Sequence, residues 1–569
     1  MWIEINKLSV TICDCRFGEI HIENDYICFF ACGSLLTTEK FAFDLLSTNL
    51  THQMAQSCFR NGYFICLVNK ETSIVTVLRD TSGLKSGYYY QDKDLLIIST
   101  NVHRIAKHTK SSISQLWADC FIYNYFILDG YTLYNNISEF KIGEKYVNNV
   151  IKDEIVSTID DLPIEYQEND YTEQQNIKLL YAKTLETHDK LKGDANVVYL
   201  SGGIDSNVML ASLYNVCPNK LRAVSYKVKE GKQDETLYAE KVAKHFGVPF
   251  TIIERDPFNP MIVDKYEDYV LSLNNPYDGM FIFAPVFQQE NELFFAGQDT
   301  RLHTPPTSKL EKHLLLKIQN GNYEGISTDK LVHYAVEFYR KYPLFAKPIA
   351  NFFDPVETLN YLYWSLSKSK YIKYGFHTNT INELKKIVEI KFEEKVAKDR
   401  AIYNQIVHQR WYKQYTNDIK YMVDMGFYNH ASTILPFYDT ELVRFSSTIP
   451  WEICTKQIIG TDKYSQKNVY VDKYALRKAF EKDLPNDVLY RAKATSNDYL
   501  LMYNGVIGKK ILQIIEADVN NSHSFIKDYL FYDYYSEYIK NNNKKFFSYR
   551  ICKMILYLSF MCIYYKNIQ

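Results

Sequence analysis

Residues 197 to 210 read Val197-Val198-Tyr199-Leu200-Ser201-Gly202-Gly203-Ile204-Asp205-Ser206-Asn207-Val208-Met209-Leu210, and the meaning of this stretch decides the fold. Val197 to Leu200 form a β-branched and aromatic run of strand length, Gly202 and Gly203 break it, and Val208, Met209 and Leu210 resume at helical spacing. Glycines let a backbone approach an anion with no Cβ in the way, while unpaired amides and the positive end of the helix dipole favour negative charge there. Ser201 and Ser206 add hydroxyl donors. A plain strand-to-helix turn would share the two glycines. Asp205 separates the readings, because a carboxylate inside an anion cradle repels phosphate unless a divalent metal lies between them. The stretch therefore predicts a nucleotide site with Asp205 as a metal ligand.

Working outward, Ala211 to Val216 complete the helix and Leu221 to Tyr226 form a second strand. Ala239, Val242 and Ala243 mark a further helix that stops at Gly247, before a third strand from Pro249 to Ile253. Strand and helix alternating in this way imply a parallel sheet that binds ligands at the carboxyl ends of its strands. Upstream, a one-faced helix from about Glu173 to Lys192 leads into the loop, and polar residues 150 to 175 read as a linker. Residues 1 to about 165 carry alternating segments, among them Tyr63 to Val68, Ser73 to Leu78 and Leu95 to Ser99, which predict antiparallel strands. From Lys309 onward the periodicity is helical.

The strand followed by Ser-Gly-Gly-Ile-Asp-Ser resembles the pyrophosphate loop of the ATP pyrophosphatases, and in particular of asparagine synthetase-like enzymes. Further stretches are similar to that family: Arg79-Asp80-Thr81-Ser82-Gly83 before Tyr88-Tyr89-Tyr90, Leu435-Pro436-Phe437-Tyr438-Asp439, and Lys473 to Arg477 followed by Leu484-Pro485 and Arg491-Ala492-Lys493. The resemblance implies two domains. Residues 1–165 would be a degenerate glutaminase-like domain of the N-terminal nucleophile hydrolase type. Residues 166–569 would be an adenine nucleotide α-hydrolase-like synthetase domain, with its nucleotide core at about 190–305 and a large helical remainder. It also implies ATP and Mg2+, with adenine held near Leu200 and Tyr226 and phosphates at Ser201, Gly202, Gly203, Ser206 and Gly297. Asp205 and Asp299 would hold the metal, and Lys493 would act in catalysis. Asp299 stands two residues after Gly297, whereas the family spaces glycine and aspartate by four. Arg301 and His303 read equally as phosphate contacts or as a salt-bridged arginine and a loop histidine. Asp439 reads equally as a helix cap or a site residue, and Lys473 and Arg477 read as structural.

One departure matters more than the matches. The family's glutaminase uses a cysteine at position 2, whose own α-amine serves as base, and here position 2 is Trp2. Relatives without that cysteine include β-lactam synthetases and lasso-peptide macrolactam cyclases, which join an amine and a carboxylate of one substrate. The expectation is an AMP-forming, ATP-dependent carbon–nitrogen ligase of that group, acting on a substrate with both groups, for which a precursor peptide is one candidate. A partner protease or glutaminase is a further expectation. The alternatives are an amidotransferase using external or partner-supplied ammonia, and a non-catalytic binding protein of the same fold.

Composition bounds the rest. A chain of 569 residues with 46% hydrophobic content can fill more than one core. With 66 basic and 67 acidic residues the net charge is −1, which argues against a nucleic-acid or anionic-membrane partner. Eleven cysteines without a Cys-x-x-Cys pair suggest neither zinc nor a disulfide framework. No basic region followed by an apolar core opens the chain, and the apolar tract Met554 to Tyr565 is too short to span a bilayer, so a cytoplasmic protein is expected.

Overall fold

The computed structural model describes most of residues 2–274, then 292–297, 309–364, 417–428, 431–454, 456–459, 468–471, 473–490, 499–521 and 549–569, with a few isolated positions besides. Structural statements below concern these residues.

The N-terminal module is built from two antiparallel sheets. Strands β1 (Trp2–Asn6), β2 (Ser9–Cys13), β7 (Tyr88–Gln91), β8 (Leu95–Ser99) and β9 (Ile137–Glu139) form one, in the order β2-β1-β8-β7-β9. The other runs β11-β10-β6-β5-β4-β3, from β3 (Glu19–Glu23), β4 (Ile27–Cys32), β5 (Phe64–Asn69), β6 (Ile74–Arg79), β10 (Glu144–Asn149) and β11 (Glu154–Ile159). Period-2 alternation sends Ile3, Ile5, Leu96 and Ile98 from the first sheet into one core with Phe30, Cys66, Val75 and Val77 from the second. The outer face of the second sheet packs on α1 (Glu39–Thr48) and α2 (His52–Cys58) through Phe29, Ile65, Ala42 and Ala55. The outer face of the first packs on α3 (Val102–Thr109), α4 (Gln115–Asn124) and the helix Tyr549–Ile568. The result is a four-layer arrangement of helices, sheet, sheet and helices. Segment 150–175, expected to be a linker, contributes β11, which pairs along its whole length with β10.

The second module centres on a five-stranded parallel sheet in the order β14-β13-β12-β15-β16, from β12 (Asn196–Tyr199), β13 (Leu221–Val228), β14 (Phe250–Arg255), β15 (Leu293–Phe295) and β16 (Ser432–Ile434). Its three leading strands lie where the alternation of strand and helix places them. A mixed α/β fold with a parallel sheet is thus established. Helix α5 (Glu173–Leu191) enters through a Thr172–Gln175 capping box; α6 (Ile204–Val216) follows β12, α7 (Thr236–Phe246) follows β13, and α8 (Tyr266–Ser272) comes after β14. From β12 the chain winds outward to β14 and then returns to lay β15 on the other side of β12. The order therefore reverses between β12 and β15, which is where open α/β sheets hold ligands.

The two modules are joined by buried polar contacts. Ser82 Oγ donates to the Tyr438 carbonyl at 2.9 Å, and the Leu435 amide donates to Asn61 Oδ1 at 2.9 Å. The Arg79-Asp80 turn is thus a structural hub: Asp80 accepts the amides of Ser82, Leu84 and Lys85, and fully buried Arg79 pairs with Asp129 and Glu139. Lys420, on the helix Asn417–Tyr428, donates to both carboxylate oxygens of Glu139, at 2.7 and 2.9 Å. Burial alone would raise the Glu139 carboxyl, but Arg79 and Lys420 hold it below the ordinary carboxylate range. No helix among the described residues is long and apolar enough to cross a membrane.

Candidate active site

The loop after β12 bends as its sequence requires. Gly202 has φ +69°, and a Cβ there would lie 3.0 Å from Tyr238 Cβ and 3.1 Å from the Glu235 carbonyl oxygen, so the turn packs directly on the start of α7. Gly203 is the N-cap of α6 and offers no side-chain cap, so the first amides of that helix face the loop. The two serine hydroxyls lie 3.1 Å apart, the Ser201 amide donates to Ser206 Oγ, and Ser206 Oγ donates to the Gly203 carbonyl.

Gly297, at the exit of β15, closes the loop from the other side. A Cβ there would sit 2.9 Å from the Ser206 nitrogen and 3.0 Å from the Asp205 carbonyl carbon. The glycine is therefore what lets β15 pass against the start of α6, at the point where strand order reverses. Leu200 is fully buried, with its amide bonded to the Val224 carbonyl at 2.8 Å. Tyr226 is partly buried at the carboxyl end of β13, its ring 5.1 Å from Tyr199 and 5.8 Å from the Arg255 guanidinium, and burial pushes its phenol well up.

Asp205 lies in the first turn of α6, and its carboxylate is held by Lys473, whose ammonium is 2.7 Å from Oδ1 and 2.5 Å from Oδ2. The lysine read as structural in the sequence thus makes an ion pair with the first turn of α6. The lysine precedes the short helix Tyr474–Ala479 with a left-handed backbone, φ 55° and ψ 32°. Arg477, by contrast, is buried and donates to the Leu489 carbonyl, as a structural arginine does. Asp439 proves to be a helix cap, accepting the amides of Glu441 and Leu442 and pairing with Lys190 at 3.1 Å.

The structure thus brings Ser201, Gly202, Gly203, Asp205, Ser206 and Gly297 to one end of the sheet, with Leu200 and Tyr226 on the adjoining strand ends. Asp299, Arg301, His303 and Lys493 lie outside the described residues. The residues present fit a nucleotide with a divalent metal: a Cβ at Gly297 would press on the Ser206 nitrogen at the helix start, that start lacks a side-chain cap, and Asp205 is a hard oxygen donor. A magnesium ion there would be held by Asp205 and would neutralise phosphate charge.

A parallel sheet whose order reverses at a glycine loop, with a carboxylate in the first turn of the following helix, is an α/β module of the open-sheet kind. The chain belongs to the asparagine synthase family, whose family model matches residues 187–270 and 338–562, more than half of the chain. A Methanocaldococcus jannaschii protein named "Putative asparagine synthetase", of the glutamine-hydrolysing kind, is 24% identical over 394 residues. That match takes in 65% of this chain and 66% of the relative, just under two thirds of its length. Among solved structures, glutamine phosphoribosylpyrophosphate amidotransferase from B. subtilis, complexed with ADP and GMP, is similar at 10% identity and a TM-score of 0.17, over 50% of this chain and 58% of its own. The U34-tRNA thiolase NcsA from Methanococcus maripaludis, with its [4Fe-4S] cluster, is similar at 17% identity and a TM-score of 0.16, over 50% and 84%. At those TM-scores neither likeness bears on fold or function.

Proposed function

We propose that the chain is an AMP-forming ligase that makes an amide between a carboxylate and an amine of one substrate, in the manner of lactam- and macrolactam-forming relatives. Family membership supports ATP-dependent amide-bond formation as the chemistry. In this reading a substrate carboxylate oxygen attacks the α-phosphorus of ATP and pyrophosphate leaves. The amine nitrogen then attacks the activated carbonyl carbon, loses a proton, and AMP departs. The loop from Ser201 to Ser206 binds the phosphates, Asp205 holds the metal with Asp299 as a candidate second ligand, and Lys493 meets charge developing on the reacting oxygens.

The observation that carries the intramolecular half of this reading is Trp2. It lies in β1, hydrogen-bonded between β2 and β8, and is buried, with the Arg104 guanidinium 4.9 Å over its ring. An indole has no nucleophile to offer at the position where the family places its cysteine. Burial pushes the thiols of Cys28 and Cys32 up to about 12, so neither is a thiolate at neutral pH. The N-terminal module therefore serves as a degenerate scaffold of the N-terminal nucleophile hydrolase kind, and nitrogen comes from the substrate itself.

The test is to incubate purified protein with Mg·ATP in three arms: glutamine alone, aspartate with ammonium, and synthetic peptides carrying a free amine and a side-chain carboxylate. The expected result is no glutamate from glutamine, no AMP with aspartate and ammonium, and AMP with a peptide whose product is lighter by one water. Asparagine and AMP from aspartate and ammonium would replace this reading with an ammonia-using synthetase. Glutamate from glutamine would overturn the scaffold assignment.

A further inference from the structure

We propose that His21, Glu23 and Cys28 form a zinc-binding clip on the edge of the second sheet of the N-terminal module. The clip needs nothing from the nucleotide reading.

The register of one hairpin assembles it. β3 and β4 pair so that His21 stands opposite Phe30 and Glu23 opposite Cys28, which puts all four side chains on one face of the sheet. That face meets the first sheet, because Cys28 and Phe30 lie in the core between the two. Imidazole nitrogen, carboxylate oxygen and thiol sulfur lie within 4.8 Å of one another, with His21 Nε2 3.4 Å from Glu23 Oε2. Zinc bonds of about 2.0–2.3 Å hold tetrahedral ligand atoms roughly 3–4 Å apart. Small turns of the partly exposed His21 and Glu23 side chains would therefore seat an ion. No zinc signature shows in the sequence here, since only the hairpin brings position 28 back beside position 23.

The ligands are held from behind. Lys70, just past β5, donates to Glu23 Oε1 and, at 2.7 Å, to the Asn24 carbonyl, while Glu23 Oε2 faces His21. One oxygen can thus stay with the ammonium as the other takes the metal, the kind of outer partner that orients a ligating carboxylate. The Lys70 hydrogen bond holds the Glu23 carboxyl below the ordinary carboxylate range, so it is ionised at neutral pH. The His21 ring lies flat on Phe30, with 4.5 Å between centroids and 8° between planes. Asn24 Oδ1 accepts the amides of Tyr26 and Ile27 at 2.9 and 2.7 Å, and the Lys70 amide donates to the Tyr26 carbonyl, so the turn that sets the register is tied down.

The donor set selects the ion. A thiolate, an imidazole and a carboxylate suit Zn2+, whereas Mg2+ and Ca2+ take oxygen ligands. Cys28 is fully buried and the other two reach the surface, so the site is closed on the sulfur side and open to water for a fourth ligand. The Cys28 thiol donates to Glu23, and its proton leaves to solvent as the sulfur–zinc bond forms. Burial pushes that thiol up to about 12, so binding strengthens as pH rises. Inward charge on an edge strand also keeps it from pairing with another chain. Glu23 and Lys70 alone would serve that role, which asks for neither the thiol opposite nor the imidazole beside them.

Cobalt reports the site in the full-length protein. Co2+ is titrated into chelator-treated wild type, Cys28→Ser, His21→Gln and Cys58→Ala, and Zn2+ is then added as competitor. The wild type should bind about one equivalent with a sulfur-to-cobalt charge-transfer band in the near ultraviolet, which zinc abolishes. Cobalt on Asp205 would have oxygen ligands and no such band. Cys28→Ser should lose the band, and both it and His21→Gln should bind zinc at least ~100-fold more weakly, the upper end of what an outer partner alone is worth. His21→Gln, at a partly exposed position, keeps the test alive should the buried Cys28→Ser fail to fold. Cys58 is a buried thiol in the core on the other side of the sheet, and its alanine variant should keep the band. Wild-type zinc affinity should rise about tenfold between pH 7 and 8 for the one thiol proton released. No charge-transfer band in the wild type at submillimolar cobalt, a band that survives in both Cys28→Ser and His21→Gln, or one lost in Cys58→Ala overturns the clip and leaves the nucleotide reading untouched.

Discussion

Replacing Gly297 by alanine tests whether the crossing of β15 over the start of α6 sets the site. The new Cβ would stand 2.9, 3.0 and 3.1 Å from Ser206 N, Asp205 C and Ser206 Cα, where ordinary contact begins at 3.4 Å. All three neighbours are backbone atoms, so no rotamer change relieves the overlap. The α6 start must withdraw from the strand by ~0.5 Å or more, against a helix with nine buried residues from Ile204 to Leu213. Such overpacking costs about 1–3 kcal/mol. Because Asp205 and the loop amides ride on the displaced turn, the loss at the site should exceed the loss of stability: a shift approaching 1 Å can cost ~10²-fold in a positioned reaction. Urea unfolding and calorimetric binding of Mg·α,β-methylene-ATP measure the two effects separately. Gly247→Ala is the control, since Gly247 has φ +66° at the end of α7 with nothing within 4 Å of a Cβ. It should lose about 1 kcal/mol of stability and no nucleotide affinity. If Gly297→Ala binds the analogue as the wild type does, the close approach has no bearing on the cradle and the reasoning fails.

Two further outcomes concern the module interface and pH. Lys420→Met should cost about 3 kcal/mol in chemical unfolding, because it strips Glu139 of one of two buried cations, and adding Glu139→Gln should return part of that loss. Burial holds His103 and His188 at about 4, below their ordinary value near 6.5, so the folded state binds fewer protons than the unfolded one. Their contribution is whole above pH 6.5 and is lost as pH falls toward 4, at about 1.4 kcal/mol per unit for each. Asp424 runs the other way. Burial raises it to about 6, against hydrogen bonds from Asn274, so its contribution is whole below about pH 4 and lost as pH rises through 6. Asp424→Asn should therefore gain about 1–2 kcal/mol at pH 7–8, discounted for partial exposure, and steepen the loss between pH 6 and 4. A flat stability profile over that range would refute the assignment.

The parallel sheet and its loop were legible because their signals are local. Val197 to Leu200, the two glycines and the helix behind them determine one another within a few residues, and the strands that follow repeat the pattern. Strand β11 was hidden for a physical reason: every one of its residues is exposed, so ladder bonds to β10 make it a strand and burial leaves no hydrophobic pattern to read. The caps of α1 and α2, Thr38 and Thr51, were readable signals that the alternation of the neighbouring strands obscured. Lys473 could not be found this way. Its partner lies 268 positions earlier in the chain, and a lone charge in sequence says nothing of what it faces. Gly297 entered the sequence reading only through the family resemblance, and the element it presses against appears only once β15 is laid beside β12.

The helix Tyr549–Ile568 covers the outer face of a sheet whose strands β1, β7, β8 and β9 all come from the first quarter of the chain. Order of synthesis and order of assembly therefore disagree. When the N-terminal strands leave the ribosome, α3 and α4 follow at once, but the helix that packs on both of them, with Tyr557 against Phe121 and Tyr564 against His103, is made some 400 residues later. At 5–20 residues per second that interval is on the order of 20–80 s. Through it an apolar face stays open to other nascent chains and to chaperones. An N-terminal fragment expressed alone would keep that face permanently bare, and insolubility of the fragment would then report a missing lid from the far end of the polypeptide, whatever the quality of its own two-sheet core.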